Sequence, residues 1–403
     1  MTFILPYIIF VILIGSTGII EEFALGRAAG SGPVAAFGMC TELRGQGKRI
    51  GNILGAVPIV GSMGLSIGYT VVFAWIVKYF VMAVNGKLFA LGTDMDAIGG
   101  AFGTTACAGG ANLWIVIALV IATVIMARGI EGGIEKANKI MMPVLFGLLV
   151  IVGIYIAFLP GATDGYKYIF TFNGAGLANP EVWIYAFGQA FFSLSVAGNG
   201  SVIYGSYLAK TEDIPFSARN VAIFDTLAAF VAAMVIIPAM ATSGAVLESG
   251  GPGLMFIYLI NVMNAMPGGR IIEVIFFGAV LFAGLSSIIN LYECFTELLE
   301  QTFKLKRVVA TLISVAIGGG VAMAIQAITS EWMDAVSIYI CPAGALLAGI
   351  MFFWVAGKDY AEEQVSLGAS RKIGGWFVPL GKYVYCAAAL AALILGAMLG
   401  GIG

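Results

Sequence analysis

Apolar residues run through this chain in long blocks separated by short polar turns. Ten blocks approach the length of a membrane-crossing helix: 3–20, 53–84, 113–127, 140–159, 182–208, 221–242, 271–299, 308–328, 335–356 and 376–400. A helix rising about 1.5 Å per residue needs roughly 20 apolar residues to cross ~30 Å of hydrocarbon. The pattern therefore predicts ten transmembrane helices, packed as a single domain over residues 1–403. The first block is not a secretory signal, because no basic residue precedes it and Glu21 and Glu22 follow it in place of a small-residue cleavage site. A shorter apolar stretch at 254–266 cannot span and is expected to fold back over an entrance on the outer side. Inside the fifth block, Gly198-Asn199-Gly200 is a helix breaker, with Ser193 and Ser195 just before it. That predicts a fifth span broken at mid-membrane depth, where irregular backbone survives only if it is buried or lines a cavity.

Composition narrows the function classes. The chain has 20 basic and 22 acidic side chains in 403 residues, 10% charged, with a mean hydropathy of +1.00. A soluble domain carries about 25%, so a soluble enzyme is excluded, and the charge balance leaves no positive field for nucleic acid. Histidine is absent, which removes the commonest general base and metal ligand together. An intramembrane enzyme would need clustered acids, histidines or cysteines; Cys40, Cys107, Cys294, Cys341 and Cys386 are scattered and read as packing residues. If the loop after the first block is cytoplasmic, sixteen of the 20 basic residues fall on that side, and only Lys78, Lys87, Lys167 and Arg270 on the other. Both ends of the chain are then expected outside.

The informative residues are the polar ones in lipid-depth blocks. Asp225 stands alone in an apolar run, where an unpaired carboxylate costs a few kcal/mol unless it is protonated or holds a cation. An interrupted helix at 198–200 would offer free carbonyls to a cation and a half-helix N-terminus to an anion. Ser286 and Ser287 either bond back to their own helix or complete an oxygen cage for sodium.

Several motifs in order then resemble one family. Pro6-Tyr7-Ile8 and Glu22-Phe-Ala-Leu-Gly-Arg27 are similar to its second helix, and Gly133-Ile-Glu-Lys-Ala-Asn-Lys-Ile-Met-Met-Pro143 to the start of its fifth. Gly188-Gln-Ala-Phe-Phe-Ser-Leu-Ser195 resembles its broken sixth, Phe282-Ala-Gly-Leu-Ser-Ser287 its eighth, and Trp332-Met-Asp334 the entry to its tenth. The family is that of the neurotransmitter:sodium symporters, with the leucine-transporter inverted-repeat fold. The resemblance implies an all-α polytopic membrane protein whose ten spans match helices 2–11 of that fold. It implies sodium-coupled symport of an amino acid into the cell by alternating access, in the cell membrane. Sodium is then the coupling ion, with no cofactor and no other metal, the lipid bilayer is the surroundings, and a homodimer is open.

Residue by residue, the resemblance implies one sodium site at Ser193 and Asp225, and a second at the Ala283 carbonyl with Ser286 and Ser287. Tyr7, Gln189, Ser193 and Asp225 would form the spot where an acid stands in for chloride. Leu65, Tyr69, Phe192, Ser193, Ser195, Gly198, Ser287 and Leu291 match substrate-pocket positions, and Tyr69, Phe192 and Asp334 match gates. Gly198 replaces a position that is often bulky, which points to a larger apolar or aromatic amino acid. The family's first helix, itself broken, has no counterpart after Met1. It would supply half of both sodium sites and the basic partner of Asp334. A non-transporting remnant or regulatory subunit is therefore the alternative reading.

Overall fold

The computed structural model describes residues 2–196, 199–242 and 251–400, and every regular element among them is helical. The helices that position the site are α1 (Ile4–Ser16), α2 (Gly18–Ala29), α3 (Pro33–Leu43), α4 (Lys48–Val84), α5 (Asn112–Met126) and α6 (Lys136–Ala157). They continue with α7 (Pro180–Ser193), α8 (Gly200–Ser206), α9 (Ile214–Thr242), α10 (Gly269–Phe303), α11 (Arg307–Ile325) and α12 (Thr329–Ala335). The last three are α13 (Cys341–Gly349), α14 (Lys358–Ser366) and α15 (Cys386–Leu399).

Among the described residues, seven helical stretches are long and apolar enough to cross a bilayer, which makes this a multi-pass membrane protein. The difference from ten blocks has a geometric origin. Arg307–Ala356 runs as one helical stretch of 50 residues, about 75 Å at ~1.5 Å per residue, so it contains two of the blocks read from the sequence. Helix α5, at 15 residues, rises only about 22 Å. Helices α7 and α8 are each shorter still. Leu254–Ala265 is a short apolar helix whose Phe256 packs on Trp75 and Phe102.

Two apolar cores organise the bundle. One gathers α4, α5, α6 and α10; the other gathers α1, α2, α3, α7, α13 and α15. Tyr69 and Trp332 pack against both, so they mark the seam. Trp332 is held there by a hydrogen bond from its indole N–H to the Gly64 carbonyl, 2.8 Å.

Glycine sets how closely α2 meets α8. A Cβ on Gly26 would run into the Val202 carbonyl, and one on Gly205 would lie 2.5 Å from the Phe23 carbonyl oxygen. The two backbones touch with no side chain between them, as small residues allow in membrane interfaces. Gly26→Val is expected to destabilise the protein by about 1–3 kcal/mol or more, read as a lower melting midpoint in detergent. Gly147→Ala, where a Cβ meets nothing within 4 Å, is the neutral or slightly stabilising control. Equal midpoints for the two variants would contradict the close approach.

Candidate ion and substrate site

Helix α7 begins where Pro180 takes the first helical position and the Asn179 side chain accepts the Glu181 N–H, 3.0 Å. It stops at Ser193. Ser195 then takes a left-handed backbone, φ 57°, and Asn199 another, φ 49°, before α8 starts at Gly200. Side-chain-bearing residues seldom adopt that region, so two within five positions turn the chain sharply out of helix.

At the end of α7 three side chains from three helices meet. The Ser193 hydroxyl donates to Asp225 Oδ2 on α9, 2.7 Å, and the Tyr7 hydroxyl on α1 donates to Ser193 Oγ, 3.5 Å. Gln189 lies one turn before Ser193. It joins Tyr7, Val11, Ala222, Thr226 and Phe230 around an apolar cleft of about 1280 Å³ between α1 and α9. Asp225 is half-buried and enters no ion pair among the described residues. The structure thus assembles Tyr7, Ser193 and Asp225, with Gln189 beside them.

The second group stands on α10. The hydroxyls of Ser286 and Ser287 both donate to the Ala283 carbonyl, at 2.8 and 3.1 Å, so three oxygens share one helical turn. Each hydroxyl keeps lone pairs for another donor or a cation. No hydrogen bond joins this trio to Ser193 or Asp225 among the described residues. Leu65 and Tyr69 sit on α4 and Leu291 on α10; Leu65 is buried, while Tyr69 and Leu291 are partly covered. Phe192 is 37% exposed and Ser195 is exposed at the end of α7. Asp334 is exposed on α12 and has no ion-pair partner among the described residues. Gly198 lies outside the described residues.

Sequence reasoning missed what holds the far side of this region. Glu22, fully buried on α2, accepts the Asn199 amide at 2.7 Å and faces the Ser201 and Val202 backbone N–H groups that open α8. Beyond it, Tyr204 donates to Asn290 on α10, and Tyr207 donates to Glu293, 2.7 Å. Glu293 in turn takes a two-pronged contact from Arg307, 2.5 and 2.6 Å, and Arg307 also reaches Glu300 at 2.9 Å. The available signal was an acid pair, Glu21-Glu22, at the edge of an apolar block, and acids at helical spacing, Glu293 and Glu300, in another.

A family model described as the sodium:neurotransmitter symporter family matches residues 102–398. An uncharacterised sodium-dependent transporter of Methanocaldococcus jannaschii is 28% identical over 427 aligned positions, covering 98% of this chain and 82% of that protein. An uncharacterised sodium-dependent transporter of Haemophilus influenzae is 28% identical over 326 positions, covering 79% of this chain and 71% of the other. Among solved structures, a crystal structure of MhsT in complex with L-phenylalanine superposes with a TM-score of 0.86 at 28% identity, covering 98% of this chain and 91% of that one.

Proposed function

The chain belongs to the sodium:neurotransmitter symporter family, whose members are transporters and not enzymes, and from that premise we propose that it carries an amino acid into the cell with sodium by alternating access. The observation that carries the proposal is the meeting of Tyr7, Ser193 and Asp225 at the point where α7 stops. A cation there finds one carboxylate and neutral oxygens, the donor set a hard monovalent ion needs, and a lipid-depth acid finds its counter-charge. In this reading α7 and α8 are the two halves of the broken fifth of ten spans. Asp225 supplies the fixed charge that chloride provides elsewhere, with Tyr7 and Gln189 around it.

Ala283, Ser286 and Ser287 form the second sodium site, their hydroxyls turning from the helix carbonyl toward the ion. Tyr69 on the seam between the two cores receives the substrate carboxylate. Leu65, Phe192, Ser193, Ser195, Ser287 and Leu291 surround its side chain, and Phe192 and Asp334 close the outer path. An apolar or aromatic amino acid suits this lining. MhsT, the similar structure, holds L-phenylalanine.

The test is uptake of labelled amino acids by the purified chain in liposomes with sodium outside. Accumulation that collapses when potassium replaces sodium is the expected result, with phenylalanine or leucine competing better than glycine. Uptake indifferent to sodium would overturn the proposal. Binding without any uptake would favour the non-transporting alternative.

A further inference from the structure

Two acids stand side by side on α2, and the fold treats them differently. Glu22 points to α8 and is held by Asn199. Glu21 is also 0% exposed, and neither of its carboxyl oxygens has a hydrogen-bond partner among the described residues. The Tyr385 hydroxyl, buried on the segment leading into α15, is likewise unpartnered among the described residues. Its ring packs against Gly18, one turn before Glu21; a Cβ there would lie 2.8–3.1 Å from the ring edge and hydroxyl. Two unsatisfied polar groups therefore share one buried compartment between α2, α3 and the start of α15.

Among the described residues, every titratable group facing that compartment is neutral or acidic. Glu22, Cys40 on α3, Tyr385 and Cys386 are the groups close enough to feel the Glu21 charge. The remaining charges on the helices packed against α2 are paired or lie away from it. Glu42 pairs with Lys48 and Lys358 with Glu362, while Asp359 and Glu363 on α14 are exposed and the Tyr360 hydroxyl there turns to Met39 Sδ. Arg219 on α9 stacks on Phe216, and Asp225 on the same helix takes Ser193. Tyr7 on α1 turns to Ser193, Tyr204 and Tyr207 on α8 turn to α10, and α13 offers only Cys341. Arg27, one and a half turns along α2, donates to the carbonyls of Glu212 and Gln364.

An anion in such a place, with no cation and no donor among the described residues, costs far more than a neutral acid, which leaves only an unsatisfied hydrogen-bonding group.

We propose that Glu21 is a proton-binding site of this carrier, separate from Asp225, that holds its proton while α2 is packed on α3 and Tyr385 and releases it to water when that packing opens. The step is a simple dissociation: the carboxyl O–H breaks, the proton passes to entering water, and the carboxylate remains on α2. Uptake then slows as pH rises, because the ionised carboxyl resists re-burial. The pH effect on uptake rests on the transport reading above; the protonation itself does not.

Two measurements on the full chain separate these. In the infrared, the protein at neutral pH should show a protonated-carboxyl stretching band that E21Q lacks and that D225N retains. Tyr385→Phe, a variant that keeps the acid, should keep the band at a shifted frequency. In sodium-driven uptake, the parent should slow at least about threefold between about pH 6 and about pH 9, while E21Q should change less than about twofold. An identical band in E21Q and parent, together with no shift in Tyr385→Phe, overturns the proposal even if the chain transports nothing. An identical pH profile in E21Q overturns the coupling to transport.

Discussion

Asp225→Ala is expected to abolish sodium-driven uptake and to weaken sodium binding at least about tenfold, roughly 1.4 kcal/mol. Two interactions are lost together, and their magnitudes can be ranked. The hydrogen bond from Ser193, 2.7 Å, is worth about 1 kcal/mol net and about twice that to a charged acceptor. Attraction between a carboxylate and a cation ~4 Å away is about 4 kcal/mol at an effective dielectric near 20. Charge therefore outweighs the hydrogen bond. Asp225→Asn, which can still accept from Ser193, should behave more like Asp225→Ala than like the parent. Ser193→Ala removes a neutral oxygen and should cost less, and Tyr7→Phe, at the 3.5 Å end of the chain of contacts, least of all. The measurement is binding of a labelled apolar amino acid across a sodium series. A sodium dependence in Asp225→Ala that matches the parent would remove Asp225 from the ion site.

Why that acid could be read from the sequence, and its neighbours only in part, follows from what each signal depends on. Asp225 is conspicuous because burial depth is written in the apolar run around it. Ser193 is conspicuous because a glycine-flanked asparagine interrupts the same block. Neither depends on knowing which helix lies beside which. The partners of Glu22 do depend on it. In the apolar pattern the first block ends at residue 20 because two acids follow, yet α2 continues to Ala29 with both acids buried. Only the approach of α8, permitted by Gly26 and Gly205, brings Asn199 to Glu22. The serine pair was ambiguous in sequence for a local reason, and the back-bonding of both hydroxyls to Ala283 is the local half of that ambiguity. Blocks and helices divide differently at Arg307–Ala356 for a geometric reason: helix runs on through the polar stretch that separates two apolar runs.

Arg307→Ala is expected to be among the most destabilising single changes in the protein, by roughly 3–5 kcal/mol. Glu293 is fully buried, and the Arg307 side chain is 17% exposed. The guanidinium meets both oxygens of Glu293, reaches Glu300, and donates through Nε to the Met126 carbonyl at the end of α5, 3.1 Å. Without it, among the described residues Glu293 keeps only the Tyr207 hydroxyl, and an anion sealed among helices α8, α10 and α11 is left uncompensated. The cost is mainly that of the stranded charge and only partly that of the contact. The double variant Glu293→Gln with Arg307→Met removes both charges and should recover most of the loss, because a buried ion pair is worth little over well-packed neutral groups. Arg307→Lys should fall between, since an ammonium cannot grip both carboxylate oxygens in one plane. Melting midpoints of the four proteins in one detergent decide it. If the double variant melts as low as Arg307→Ala, the loss comes from packing around the guanidinium, and Glu293 is not held by its charge.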